Sequence, residues 1–294
     1  MIAGPRGSAR LGTSSWTYPG WVGLVYDRPY PKTGASAAML AEYARYPLFG
    51  TVGIDSSFYR PLEPEALEAY AAALPPDFPC VSKVWDHLTV HTWGTSAQHN
   101  AGERNPHFLD AELFITAVLE PHRRHFASHT GPFVFEFQAI PRAARISPDA
   151  FAALLDDFFS QLPRDARYAV ELRNAEYLCP AYFAVLREHD VAHCFNSWTR
   201  MPSIGEQLDL DGSITASFTV CRALMRPGRT YSDSRAVFEP FNAVREPQPE
   251  VRADIVRLVR ATIERDGEAF VLVNNRLEGC APVTIGALAE ALGL

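Results

Sequence analysis

Pro79-Cys80-Val81-Ser82-Lys83-Val84-Trp85 is an apolar run interrupted by a single ammonium group. A run of this kind, apolar on successive residues rather than on alternate ones, predicts a strand covered on both faces, as in a parallel sheet flanked by helices. Of the 27 basic side chains in the chain, only Lys32 and Lys83 are lysines. An ammonium inside such a strand costs several kcal/mol to desolvate unless it is paired or neutralised. Lysine, unlike arginine, can also work by giving up its proton. Two readings of Lys83 follow: a structural lysine held by an internal carboxylate, or a working group.

Seven further runs share the pattern: Arg10–Ser14, Gly50–Asp55, Phe133–Phe137, Tyr168–Leu172, Val191–Asn196, Thr215–Val220 and Phe270–Val273. Helical patterns lie between them. Ser36–Arg45 carries Met39, Leu40 and Tyr43 at helical spacing, and Pro64–Leu74 begins with proline in its first turn. Phe108–Arg124 is long and amphipathic, and Ser147 before Pro148 reads as an N-cap for a helix reaching about Gln161. Pro180–Glu188, Glu250–Arg265 and Val283–Leu292 complete the set, while Ser203–Leu208 holds one turn at most. Repeated strand-then-helix order predicts parallel strands with right-handed crossovers, and eight units predict an α/β fold, a TIM-like (β/α)8 barrel forming a single domain over residues 10–294. A doubly wound open sheet is the competing architecture, weakened by the lack of a GxGxxG or GxxxxGK[ST] loop after any strand. Residues 1–9 read as a flexible tail. Two long connections, 86–107 and 223–249, follow strand ends, where barrel enzymes carry their working loops.

Composition narrows the function classes. The 294 residues are 47% hydrophobic and 21% charged, with a net charge of −7, which disfavours a general nucleic-acid or anionic-membrane binder. Five scattered cysteines without a CxxC pair suggest neither a disulfide framework nor a thiolate metal site. No signal-like or membrane-spanning run is evident, so a cytoplasmic location, no membrane partner and no nucleic-acid partner are expected.

The strand runs end in polar groups that a parallel barrel would gather at one rim. Glu171 and Arg173, two apart, point to the same side of their strand, so the guanidinium would keep the carboxylate ionised and aimed, as a general base or as counter-ion to Lys83. A simple rim salt bridge is the alternative. Arg222, in an arginine cluster with Arg226, Arg229 and Arg235, suggests an anion pocket or a solvated face. Glu136-Phe137-Gln138 ends the fourth strand. Asn274 and Asn275 would donate to a substrate oxygen or turn the strand end, and Asp55 would serve the site or cap a loop. Trp16, Tyr59 and the other aromatics near these ends (Tyr18, Trp21, Trp85, Trp93 and Trp198) would stack on a ligand ring or simply pack. His87, His91, His99 and His107 with Glu103 invite a metal reading, but their spacing is irregular, and neither a metal nor an organic cofactor is expected.

Certain segments carry a resemblance: Gly12-Thr13-Ser14-Ser15-Trp16 with Tyr18-Pro19-Gly20-Trp21, and Thr51-Val52-Gly53-Ile54-Asp55-Ser56-Ser57-Phe58-Tyr59-Arg60. With Lys83-Val84, Phe137-Gln138, Val170-Glu171-Leu172-Arg173-Asn174 and Asn274-Asn275-Arg276, they resemble the domain-of-unknown-function 72 family over roughly residues 10–292. The resemblance implies a TIM-like barrel and no particular reaction. It implies polar site positions at Trp16, Lys83, Gln138, Glu171, Arg173 and Asn274-Asn275. Two departures stand out. Gly53 and Asp55 replace the family's Glu and Asn, and Val220-Cys221-Arg222-Ala223-Leu224-Met225 lacks the histidine of the family's seventh-strand motif. The leading expectation is a metal-independent enzyme acting on a small polar or anionic metabolite, with Lys83 and Glu171 as an acid/base pair or with Lys83 as an amine nucleophile forming a Schiff base. Arg173, Arg222, Asn274 and Asn275 would bind the substrate. A non-catalytic small-anion-binding module and a metal-dependent barrel hydrolase or nuclease are the alternatives.

Overall fold

The computed structural model describes residues 7–94, 101–226, 228–229 and 231–294. Eight parallel strands close into a barrel in sequence order: β1 (Ser8–Thr13), β2 (Thr51–Ile54), β3 (Cys80–Lys83), β4 (Thr130–Phe137), β5 (Tyr168–Leu172), β6 (Ala192–Asn196), β7 (Phe218–Ala223) and β8 (Glu268–Val273). Closure runs from Ser8 opposite Glu268 to Thr13 opposite Val273. The TIM-like barrel expected from the sequence is what the chain forms, and the open sheet is excluded. β1 starts at Ser8, so the ordered barrel reaches two residues into the segment read as a tail; residues 1–6 of that reading lie outside the described residues.

Side chains alternate between the lumen and the helices. Val81, Val134, Ala169, Ala192, Cys194, Phe218, Val220, Phe270 and Leu272 form one apolar cluster that fills the barrel. The intervening positions pack outward. Phe133 and Phe135 on β4 meet Phe114, Phe158 and Tyr168 at ring distances of 5.0 to 6.4 Å.

The outer helices are α1 (Ser36–Tyr43), α2 (Pro64–Ala73), α3 (Ala111–Phe114), α4 (Glu120–His125), α5 (Pro148–Ser160), α6 (Pro180–Glu188), α7 (Ile204–Leu208), α8 (Tyr231–Phe238), α9 (Pro249–Ile263) and α10 (Ala281–Leu292). α5 buries Phe151, Ala152, Leu155, Phe158 and Phe159, the 3.6-residue spacing of a single apolar stripe, and Ser147 Oγ accepts from the Ala150 N–H at 3.2 Å at its start. α3 and α4 are joined by a π turn over Ile115–Leu119. Pro121 is the cause: it has no N–H to offer the preceding turn, and its ring displaces the carbonyl it would otherwise meet.

Several elements differ from the sequence reading: β4 and β8 start earlier than expected, the helix read over Phe108–Arg124 is split by the π turn, and three further differences have local causes. β7 begins three residues later than expected, because residues 215–217 are held by side chains instead of the ladder. Thr215 Oγ1 accepts from His193 N at 2.8 Å, and Asp190 accepts from Ser217 N at 2.9 Å. α7 forms through a capping box in which Ser203 and Glu206 satisfy each other's backbone N–H groups. α8 lies inside the connection read as a loop. Among the described residues, no helix is long and apolar enough to cross a membrane.

Candidate functional site

The apolar filling of the barrel ends one layer below the C-terminal rim. Strand alternation then places Lys83 two residues after Val81, Glu136 two after Val134, Glu171 two after Ala169 and Arg222 two after Val220. The next inward layer is therefore charged. Lys83 Nζ lies 2.9 Å from Glu136 Oε2 and sits 3.6 Å over the Phe58 ring. Arg173 Nη2 pairs with the same Glu136 oxygen at 2.9 Å and with Glu171. Arg222 is 2% exposed and stands among three carboxylates: Nη1 meets Glu136 at 2.8 Å and also Glu171, and Nη2 spans both Asp55 oxygens at 2.9 and 3.0 Å. Three cations thus interlock with three carboxylates, which is how charge survives in a site this dry.

Burial pushes the Glu136 carboxyl upward, but Arg173, Lys83 and Arg222 outweigh it and hold it well below the usual carboxylate range. Burial pulls the Arg222 guanidinium down, and Asp55, Glu171 and Glu136 more than restore it. Glu136 is ionised throughout the neutral range.

Above this layer is a cavity of about 540 Å³ lined by Glu136, Gln138, Ala139, Arg173, Trp198, Thr199, Arg200, Met225 and Arg229. The Arg173 guanidinium lies 4.1 Å over the Trp198 ring, and Arg229 Nη2 pairs with Glu246 at 2.8 Å. A larger depression, about 700 Å³, lies on the outside of the barrel between α9 and α10, floored by Ala253, Val256 and Ala287. Two of its arginines are already paired: Arg252 with Glu278 and Arg257 with Asp209. It holds none of the rim chemistry, so the smaller cavity is the functional candidate.

The residues expected from sequence divide sharply. Lys83, Glu171, Arg173, Arg222 and Asp55 come together, and Gln138 lines the cavity. The carboxylate paired with Lys83 is Glu136, however, and not Glu171 as the sequence suggested; Glu171 is fully buried beneath two arginines and does not line the cavity. Arg222, expected to bind substrate charge, is taken up by internal acids. Trp16 belongs to the core, 3% exposed with its indole N–H donating to Ser36 O at 2.8 Å. Tyr59 is 76% exposed, packs edge-on against Phe58 and is absent from the cavity wall. Asn274 Oδ1 accepts from Arg276 N at 3.0 Å, and Asn275 Oδ1 accepts from Ala281 N at 2.8 Å, so these two turn the strand end and start α10.

Arg200 was missed as a site residue, while Glu136 was read only as the polar end of its strand, Arg229 only as a member of the arginine cluster and Trp198 only as an aromatic that stacks or packs. Glu136 shows the signal that singled out Lys83, one charge inside an apolar strand. Trp198, Arg200 and Arg229 lie on loops whose approach no local pattern encodes. Gly53 takes an inward position where a Cβ would lie 2.7 Å from Ser14 O, so a larger residue there would force β1 and β2 apart. Among the described residues no group of three His, Cys, Asp or Glu is placed to hold a metal. His87 pairs with Asp86 at 3.0 Å, His91 with Thr92 at 2.9 Å and His107 with Asp110 at 3.0 Å; His99 lies outside the described residues.

A family model described as "Protein of unknown function DUF72" matches residues 10–294. Among solved structures, the chain is similar to a DUF72 family protein from Enterococcus faecalis (18% identity, TM-score 0.66, covering 99% of this chain and 100% of that one). It is also similar to one from Thermotoga maritima (18% identity, TM-score 0.64, 98% and 100% covered). A methyltransferase from Methanosarcina mazei shares the fold more loosely (10% identity, TM-score 0.50, 99% and 96% covered). No curated protein matches the sequence.

Proposed function

This chain belongs to the DUF72 family, and from that premise we propose that it is a barrel enzyme carrying out proton transfer on a small, polar, anionic metabolite at the C-terminal rim. The observation that carries the reading is the Lys83–Glu136 ion pair beneath a cavity whose wall includes Glu136 itself and Arg173. A ligand in that cavity reaches the Glu136 carboxylate directly. Lys83, paired with the same carboxylate and itself outside the cavity wall, is the group with a proton to give, and delivering it takes a side-chain rotation past Glu136. Glu136 is held ionised and therefore suits an electrostatic role, steadying the ammonium and any positive charge that develops on the substrate. Glu171 touches no cavity surface and acts as a positioning residue that fixes Arg173 and Arg222.

A screen of phosphorylated and carboxylated metabolites for proton-transfer chemistry tests this. Lys83→Met should lower kcat by at least about a hundredfold once an activity is found, measured at a temperature where the variant is folded, because removing one member of a buried ion pair also lowers the melting temperature. An unchanged kcat in that variant sinks the proposal. The complete pairing of the three carboxylates favours a second reading, an anion-binding module without chemistry. Ligand-induced melting shifts with no turnover across the panel would decide for it.

A further inference from the structure

The charges around the rim cavity do not balance, although the whole chain carries −7. Its wall contributes Glu136, Arg173, Arg200 and Arg229, and their ion-pair partners add Lys83, Arg222, Glu171 and Glu246, which in turn bring in Asp55 and Arg226. Six cations therefore face four carboxylates. One source of the excess is Glu246, which serves both Arg226 at 2.6 Å and Arg229 at 2.8 Å. The other is Arg200, exposed at the mouth and without an ion pair among the described residues.

A second observation points the same way. Arg173 is 6% exposed, and among the described residues its Nη1 has no hydrogen-bond partner; the Nη1 of Arg229 is also buried and unmet among them. Each guanidinium commits its Nη2 to a carboxylate and leaves the other arm of the fork without an acceptor among the described residues. Buried donors left unmet are costly, and a guanidinium fork matches two oxygens of one planar or tetrahedral anion. Solvent reaches neither atom, so engaging them takes a side-chain rotation within the cavity wall. Beside them Trp198 and Met225 supply an apolar wall.

We infer that the rim cavity is a subsite for a phosphate monoester, its dianionic group held by Arg173, Arg229 and Arg200 and its organic part against Trp198 and Met225. A phosphate monoester carries close to two negative charges at neutral pH, which equals the local excess. The inference rests on the rim cavity being the working site and gives its substrate a class.

Phenyl phosphate and phenyl sulfate have the same shape but differ by one charge at pH 7.5, and calorimetric titration of the intact protein with each separates charge from fit. Phenyl phosphate should bind at least about tenfold tighter, the order expected for a charge-assisted hydrogen-bond pair. Arg229→Gln should weaken it by about tenfold or more. Arg200→Glu alters an exposed side chain and cancels the excess charge outright, so it serves even if the first variant fails to fold; it too should cost about tenfold or more. Equal affinity for the two probes, or binding indifferent to Arg200→Glu, overturns the inference. Turnover plays no part in the titration, so phosphate binding can stand while the Lys83 chemistry fails, and the reverse.

Discussion

Arg222 puts a full charge where solvent scarcely reaches, and three acids from three strand ends justify its presence. Asp55 follows β2, Glu136 lies on β4 and Glu171 on β5, and all three meet the one guanidinium. The arrangement is a buried network, in which removing one member is far worse than never having built it. Arg222→Met should therefore destabilise the protein by about 3–5 kcal/mol, because three carboxylates lose a shared counter-charge in a dry site. Urea unfolding measures this, and a loss under about 1 kcal/mol would mean that water enters the cluster freely. Glu136 makes the same point through pH. Its folded-state pKa is depressed, so its stabilising contribution is complete above the ordinary carboxylate range and is lost only as pH falls through the depressed value.

At the scale of the element, two histidines are buried as neutral rings behind strands. His122, on α4, receives Ser82 Oγ at 3.3 Å and donates Nδ1–H to Val118 O at 2.8 Å; burial lowers its pKa to about 4. His193, on β6, contacts Tyr182 Oη at 3.0 Å and Gln207 at 3.3 Å, and burial lowers it to about 4 as well. Both folded values lie below the ordinary 6.5, so the unfolded chain takes up protons first, and stability falls as pH drops from about 6.5 towards 4. Each contributes roughly 3 kcal/mol to that loss. Melting temperatures between pH 7 and 4.5 should show the slope, and His193→Gln should flatten it; an identical slope in that variant would assign the effect elsewhere. Elements were also where the sequence was most legible. Tyr168–Leu172 and Pro180–Glu188 were read with their observed ends, because apolar runs and N-terminal prolines are local signals. β7 was misplaced and α8 missed, because the side-chain bonds of Thr215 and Asp190, and the packing that permits a helix between prolines, are tertiary.

The closed barrel turns scattered strand positions into one site. Counting by twos from the apolar lumen carries Lys83, Glu136, Glu171 and Arg222 to the same level, so the charged layer was present in the sequence once inward parity was known. What parity cannot supply is which acid meets which base. Lys83 pairs with the strand beside it in the barrel, β4, and not with β5. The cavity wall was still less legible, since Trp198, Arg200 and Arg229 stand on loops after β6 and β7 that converge only in the folded chain. At the opposite rim Glu268 is held between Arg10 and Arg167.

The most direct test is a crystal structure of the protein soaked with phenyl phosphate. Density bounded by Arg173, Arg200 and Arg229, against Trp198 and next to Glu136, is the predicted result. Density confined to the groove between α9 and α10, beside Arg252 and Arg260, would contradict the account.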